Sequence, residues 1–330
     1  MRMFLLALLL AAPLFAEPKV GDAAPKFKLK GEVINRPECD TIDACLGDVV
    51  LVYEWESRDI NSGKDLPQIQ KLWSERGGKG LHVFAIHRLD HRKYWDVVEY
   101  MDDKDYSFCV PIGGFYAASN FDEYKAEKDF HATVIGVDGK VAFFGMAGWK
   151  EVVEAELRKC IYPGLGKQSV VKPVEECAAN FMKRAYGRAL NMAIKPSEST
   201  DAAAKADAEH VIARAKGFAA ALQARIDAAK ESKHFLEALE LTERLANEFK
   251  DHEIGKKADA DLKVLTNDKA AKAEIKNGKA FKKVQADYKK SDRATRIGAL
   301  KQFAAKYPDS VYAAHAKAMI ASMEESLVKK

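Results

Sequence analysis

Five cysteines and a group of histidines carry the most obvious chemistry in this 330-residue chain. Cys39 and Cys45 stand six apart, Cys160 and Cys177 bracket the stretch beginning IYPGLGKQ, and Cys109 lies between Phe108 and Val110. A thiolate attacks disulfides or peroxides, whereas in an oxidising compartment cysteines commonly close structural bridges. The positions suggest pairing 39 with 45 and 160 with 177, with Cys109 free and buried. Neither Cys39 nor Cys45 stands at a helix N-terminus that would depress its pKa, which counts against a redox pair and in favour of staples or small apolar residues. His82, His87 and His91, with Asp90 among them, invite a metal reading. An odd separation turns His82 and His87 to opposite faces of one strand. The rest are loop residues without a cysteine or fixed scaffold, so no metal and no cofactor is expected.

The elements that would position these groups are legible as periodic runs. The β-branched apolar run Val49 to Tyr53 reads as a buried strand, followed by the polar segment EWESRDINSGKDLP and then a helix in QIQKLWSERGGKG. GLHVFAIH, residues 80 to 87, reads as a second strand, and KYWDVVEYM as the helix after it. HATVIGVDGKVAFFGMAG reads as a hairpin turning at Asp138-Gly139. Trp149 to Lys159 then places Val152, Val153 and Leu157 on one side of an amphipathic helix.

In order and spacing, residues 19 to 160 resemble the thioredoxin-like superfamily, of the redoxin, TlpA and alkyl hydroperoxide reductase type. KVGDAAPKFKL resembles the family's opening V-G-x-x-A-P-x-F-x-L, and Glu54 to Pro67 resembles its W-C-x-x-C-x-x-E-L-P segment. Trp55, Asp65, Leu66 and Pro67 match, but the two cysteine positions fall on Asp59 and Ser62, which cannot attack or form a disulfide. The family's cis-proline is also missing. No proline occurs between Pro111 and Pro163, and Phe130, His131 or Ala132 holds its place; a non-proline cis bond costs about 3 kcal/mol, so a trans peptide is expected.

The resemblance implies an α/β thioredoxin-like fold, a central mixed sheet flanked by helices. It also implies that Asp59, Ser62 and His131 lie near one another. An Asp, a Ser and a His suggest nucleophilic hydrolysis, but no oxyanion hole is identifiable, and tolerated replacements at a dead site are the plainer account. No catalytic residue is assigned. Trp55, Asp59, Ser62 and His131 are expected to remain as a docking site for a protein or peptide, making the chain a binding or scaffold module. The rival expectation is a thiol-disulfide or peroxidase-type enzyme working through displaced Cys39, Cys45 or Cys109.

MRMFLLALLLAAPLFA reads as a secretory signal peptide cut after Ala16, too short to span a bilayer, which needs about 20 apolar residues. The expectation is a periplasmic or secreted protein with no membrane span and no nucleic-acid partner. It divides into a thioredoxin-like domain over 17–162, a linker and first helix over 163–198, and an all-α helical-hairpin repeat domain over 199–330. Residues 17–165 carry 20 Lys+Arg against 26 Asp+Glu, a net −6, and residues 166–330 carry 32 against 23, a net +9. Either the halves attract each other or the second meets an anionic partner such as an envelope surface.

In the second half, Pro173 to Ala193 reads as one helix and Asp201 to Lys230 as a long Ala-rich one. Ala238 to Leu265 aligns with Arg296 to Met323 at an offset of 58, placing Phe249 on Tyr307 and Ala258 on Ala316. This resembles tetratricopeptide-like hairpins, which stack because one hairpin cannot bury its own face. Lys269, Lys272, Lys276, Lys279, Lys283 and Lys290 fall on one helical face, with Asn277-Gly278 as a potential break; a solvated face is the plain account of the stripe.

Overall fold

The computed structural model describes residues 17–57, 59–88, 94–112, 124 and 131–328. The expected signal peptide, Asp90, His91 and Phe130 lie outside the described residues. The first half is organised by β2 (Val49–Trp55), preceded by β1 (Val33–Ile34) and a short helix α1 (Ile42–Cys45). All seven residues of β2 are buried, which is why an unbroken β-branched run was needed: both faces are covered. After β2 come α2 (Ile60–Gly63), α3 (Leu66–Arg76), β3 (Leu81–His87), α4 (Tyr94–Asp103) and β4 (Val110–Pro111). The hairpin β5 (Ala132–Ile135) and β6 (Val141–Gly145) precedes α5 (Trp149–Leu157). The four-stranded sheet has the order β3-β2-β5-β6. β2 is parallel to β3 and antiparallel to β5, and β6 is antiparallel to β5. This is a thioredoxin-like α/β fold.

Alternation along β2 divides the core. Val49, Leu51, Tyr53 and Trp55 face α3, α4 and α5 through Leu66, Ile69, Val97, Met101 and Val153. Val50 and Val52 face the opposite side with Phe27, Leu29, Cys39, Ile42 and Cys45. Glu54, buried in this setting, is compensated by a two-pronged ion pair with Arg88, at 3.1 and 2.9 Å. No cis peptide occurs among the described residues.

The second half is helical throughout. The single helix expected over 173–193 is two, α6 (Glu175–Met182) and α7 (Tyr186–Ser197), parted at Arg184, whose φ of 59° no α-helix accommodates. The break brings Gly187 against the backbone after α9 (Phe235–Glu248), where a Cβ would lie 2.3 Å from the Lys250 carbonyl oxygen. Between them runs α8 (Ala202–Glu231), capped by Asp201. The 58-residue repeat is realised as two hairpins. α9 with α10 (Glu253–Asn267) matches α12 (Arg293–Lys306) with α13 (Val311–Val328), and the starts of all four helices fall at that offset. Contrary to expectation, Asn277-Gly278 does not break α11 (Lys269–Tyr288). Gly278 instead admits the Tyr312 ring, which a Cβ would approach to 2.7 Å. The six stripe lysines are exposed.

The charge asymmetry resolves into contacts between the halves. Glu99 on α4 receives Arg293 at 3.0 Å and Arg296 at 3.4 Å, and Asp103 receives Arg296 at 2.9 Å. Glu38 pairs with Arg184 and Arg244, both of which also bind Glu248. Residues 163–171, expected as a linker, are strapped down: Gly164 N donates to Asp48, and Val171 N to Asp207. On α13, His315 packs at a tilt against Trp95 of α4, with ring centroids 5.3 Å apart, and shares an Nε2–Nε2 contact of 3.2 Å with His234.

Gly187→Ala is expected to lose about 1–3 kcal/mol through overpacking. Gly217→Ala, in open space on α8, should gain up to about 1 kcal/mol. Chemical denaturation of both variants distinguishes a packing requirement from mere glycine tolerance. Burial first, and the facing His234 second, hold His315 below its ordinary pKa. Below about pH 6.5 the unfolded chain therefore binds more protons than the folded one. Stability should be fully present above that pH and fall as it drops; His315→Gln should flatten the slope in denaturant midpoints measured from pH 7 to 5.

Candidate functional site

Two ends of the central sheet carry groups of interest, and they are different ends. At the C-terminal end of β2, Asp59 caps α2, its Oδ1 accepting from Asn61 N at 2.6 Å and Ser62 N at 3.1 Å. Ser62 is buried and its hydroxyl is committed: it donates to the Glu56 and Asp59 carbonyls, at 3.1 and 3.2 Å, and accepts from Glu56 N. His131 is held elsewhere, its Nε2 on the Tyr124 carbonyl and its ring against Phe144 at 4.7 Å. Ser62 and His131 share no hydrogen bond, so the nucleophile–base contact of a hydrolase is absent. Trp55 is fully buried, donating from Nε1 to the Ala85 carbonyl and packed on His87 at 4.6 Å.

Of the four residues expected to form a docking surface, Trp55, Ser62 and His131 are therefore interior supports. The apolar side chains that this end shows to solvent are others. Ile60 is 89% exposed and Met146 62% exposed. The pairing of Tyr53 with Ala132, and of Ala132 with Gly145, places Met146 at the same end of the sheet as Ile60.

At the N-terminal end of β2 and β3 lies a second group. Cys39, Cys45 and His82 bring one donor atom each within 4.8 Å of one another, the only such potential metal-binding trio among the described residues. His82 Nε2 bonds Asp48 at 2.8 Å, and Asp48 also accepts from Gly164 N. A hydrogen bond from Cys45 lowers the Cys39 pKa to about 7 against the opposing effect of burial, with His82 and Arg214 assisting. His82 is raised to about 9; burial opposes this, but the Cys39 and Asp48 charges outweigh it. Burial, then Cys39, pushes the Cys45 thiol up.

All five cysteines are free thiols in this structure. The two cysteines expected to form the 39–45 bridge are neighbouring free thiols, and those expected to form the 160–177 bridge lie in two separate environments. Cys160 Sγ faces Gly47 O and Asp48, whereas Cys177 lies in the helical core with Leu165, Ala178 and Phe181. Cys109 is buried beside Phe84, and desolvation raises its pKa far above the ordinary thiol range.

No protein-family model and no curated protein matches the chain. Among solved structures, it is similar to a thioredoxin-like superfamily protein at 13% identity and a TM-score of 0.36, over 41% of this chain and 96% of that one. A thiol-disulfide isomerase from Corynebacterium glutamicum matches at 15% identity and a TM-score of 0.34, over 39% and 92%. StoA from Bacillus subtilis matches at 17% and 0.31, over 40% and 98%.

In the second group, His82 stands far from Cys39 and Cys45 in the chain, and the neighbours of His82 in sequence do not reveal its partners. The usable signal was parity. His82 shares its face of β3 with Phe84 and Ile86, the face that Cys39 and Cys45 cover, and Val50 pairs with His82 in register. Cys39 stands at no helix N-terminus, as expected; its neighbours Cys45, His82 and Arg214 are what lower its pKa.

Asp59→Ala should cost about 1 kcal/mol and Asp59→Asn much less, as for an N-cap whose oxygen is what matters. A thermal-denaturation comparison that ranked the two equally would show that Asp59 does not act as a cap.

Proposed function

We infer that the chain is an extracytoplasmic, non-catalytic thioredoxin-like module that binds a protein or peptide, carried on a body of tetratricopeptide-like hairpins. The observation that carries this is the closed chemistry at the C-terminal end of β2: an aspartate caps the helix where the first thiol would stand, and a buried serine bonded to its own loop replaces the second. The leader-like first sixteen residues support export. Exposed Ile60 and Met146 are the apolar contacts that a bound segment would cover.

The rival, an oxidoreductase working through displaced cysteines, must bring a substrate disulfide to Cys39, Cys45 or Cys109, all of which are buried. Disulfide exchange requires an accessible attacking sulfur. The purified mature protein should reduce insulin disulfides no faster than dithiothreitol alone. A faster rate that disappears in Cys39→Ser or Cys45→Ser would replace this reading with the rival.

A further inference from the structure

We propose that Cys39, Cys45 and His82 form a binding site for a thiophilic divalent cation, Zn2+, with its fourth coordination position open to the cavity between the two halves of the molecule. The proposal is independent of whether the thioredoxin-like edge binds a partner. It rests first on the donor set. Two sulfurs and one imidazole nitrogen suit zinc, with Zn–S about 2.3 Å and Zn–N about 2.0 Å, which puts donors around one ion roughly 3.5–4 Å apart. The three donor atoms here lie within 4.8 Å of one another, so a small inward movement closes the site.

A second, independent observation is the support behind the histidine. Asp48 is buried and takes His82 Nε2 at 2.8 Å, leaving Nδ1 as the coordinating nitrogen. A carboxylate on the outer ring nitrogen fixes the tautomer and orientation of a metal-binding histidine. Asp48 is itself held, by Gly164 N at 2.8 and 3.0 Å. The cysteine loop is anchored on both sides as well. Thr41 caps the short helix through Ala44 N, Leu29 N donates to Asp40 O at 2.7 Å, and Arg214 donates to Ala44 O at 3.0 Å from across the domain boundary.

Charge selects the divalent ion. Binding releases the two protons that Cys39, Cys45 and His82 hold among them and leaves two thiolates and a neutral imidazole, and Zn2+ neutralises the two negative charges. Asp48 and Arg214 balance each other, so the filled site is neutral, whereas a monovalent ion would leave a buried net negative charge. The cavity of about 500 Å3 is lined on one side by Cys39, Asp48 and His82 and on the other by Tyr186, Phe218 and Arg225. It offers space for water or a small solute as fourth ligand, the arrangement of a zinc site that keeps one position open.

The test uses the full mature chain, reduced and freed of metal, with Co2+ as optical probe and Zn2+ as competitor. One equivalent of Co2+ should give a thiolate-to-cobalt charge-transfer band in the near ultraviolet together with intense tetrahedral d–d bands, and Zn2+ should displace both. In the wild-type protein, Zn2+ should slow the labelling of two of the five cysteines, identified by mass spectrometry as Cys39 and Cys45. That readout needs no variant to fold. Cys39→Ser and Cys45→Ser should abolish the charge-transfer band, Asp48→Asn should weaken Zn2+ binding about 10–100-fold, and Cys109→Ser should change nothing. The proposal is overturned if no charge-transfer band forms, if the protected cysteines are others, or if Cys39 and Cys45 close a disulfide in air with one equivalent of Zn2+ present.

Discussion

The in-register parallel pairing of β2 with β3, from Val49 opposite Leu81 to Trp55 opposite His87, is the constraint on which the rest of the first domain depends. With a side-chain period of two, this register decides which residues meet on each face. It puts Leu51, Tyr53, Val83 and Ala85 under the three long helices, and Val50, His82, Phe84 and Ile86 under the N-terminal segment. A slip of one residue would turn Leu81 or Val83 toward Cys39 in place of His82 and remove His82 from Asp48. At about 3.3 Å per residue, the seven-residue strand also sets about 20 Å between the two ends of the site-bearing sheet. The Cys39 and Cys45 sulfurs lie at one end, and Asp59 and Ser62 lie at the other.

The two halves are joined by ion pairs at more than one place. Acidic side chains of the first domain, Glu38, Glu99 and Asp103, are answered by Arg184, Arg244, Arg293 and Arg296 of the second. The partly buried members matter most, because removing one partner strands the other without water. One of these networks starts at Glu38, adjacent to Cys39, so the cysteine loop is tied to the helical domain at this point. Asp48 extends the link, joining the start of β2 to His82 and to the strap at Gly164.

Much of the fold was legible in the sequence, because it is written in local patterns: the apolar run of β2, the Asp138-Gly139 turn, the opposite faces of His82 and His87, and the 58-residue repeat. The misreadings have physical causes. Arg184 adopts a left-handed conformation that no glycine announced, so one helix was read for two. Gly278 resembled a breaker although its role is close packing on Tyr312. The site was less legible than the fold. The polar residues Asp59 and Ser62 at the end of β2 showed directly, but burial of Trp55, Ser62 and His131 depends on how far the loops close over them. Convergence of Cys39, Cys45 and His82 joins residues more than thirty positions apart through strand register, and charge balance across the boundary depends on which helices meet.

The central claim is that this thioredoxin-like domain keeps the thiols of Cys39, Cys45 and Cys109 buried and away from the Asp59–Ser62 end of the sheet. The most direct measurement is the rate at which each native cysteine forms a mixed disulfide with an activated peptide disulfide near neutral pH, resolved by mass spectrometry and compared with the urea-unfolded chain. The account predicts that Cys39, Cys45 and Cys109 react far more slowly folded than unfolded. Faster reaction of Cys39 in the folded protein than in the unfolded chain would contradict it.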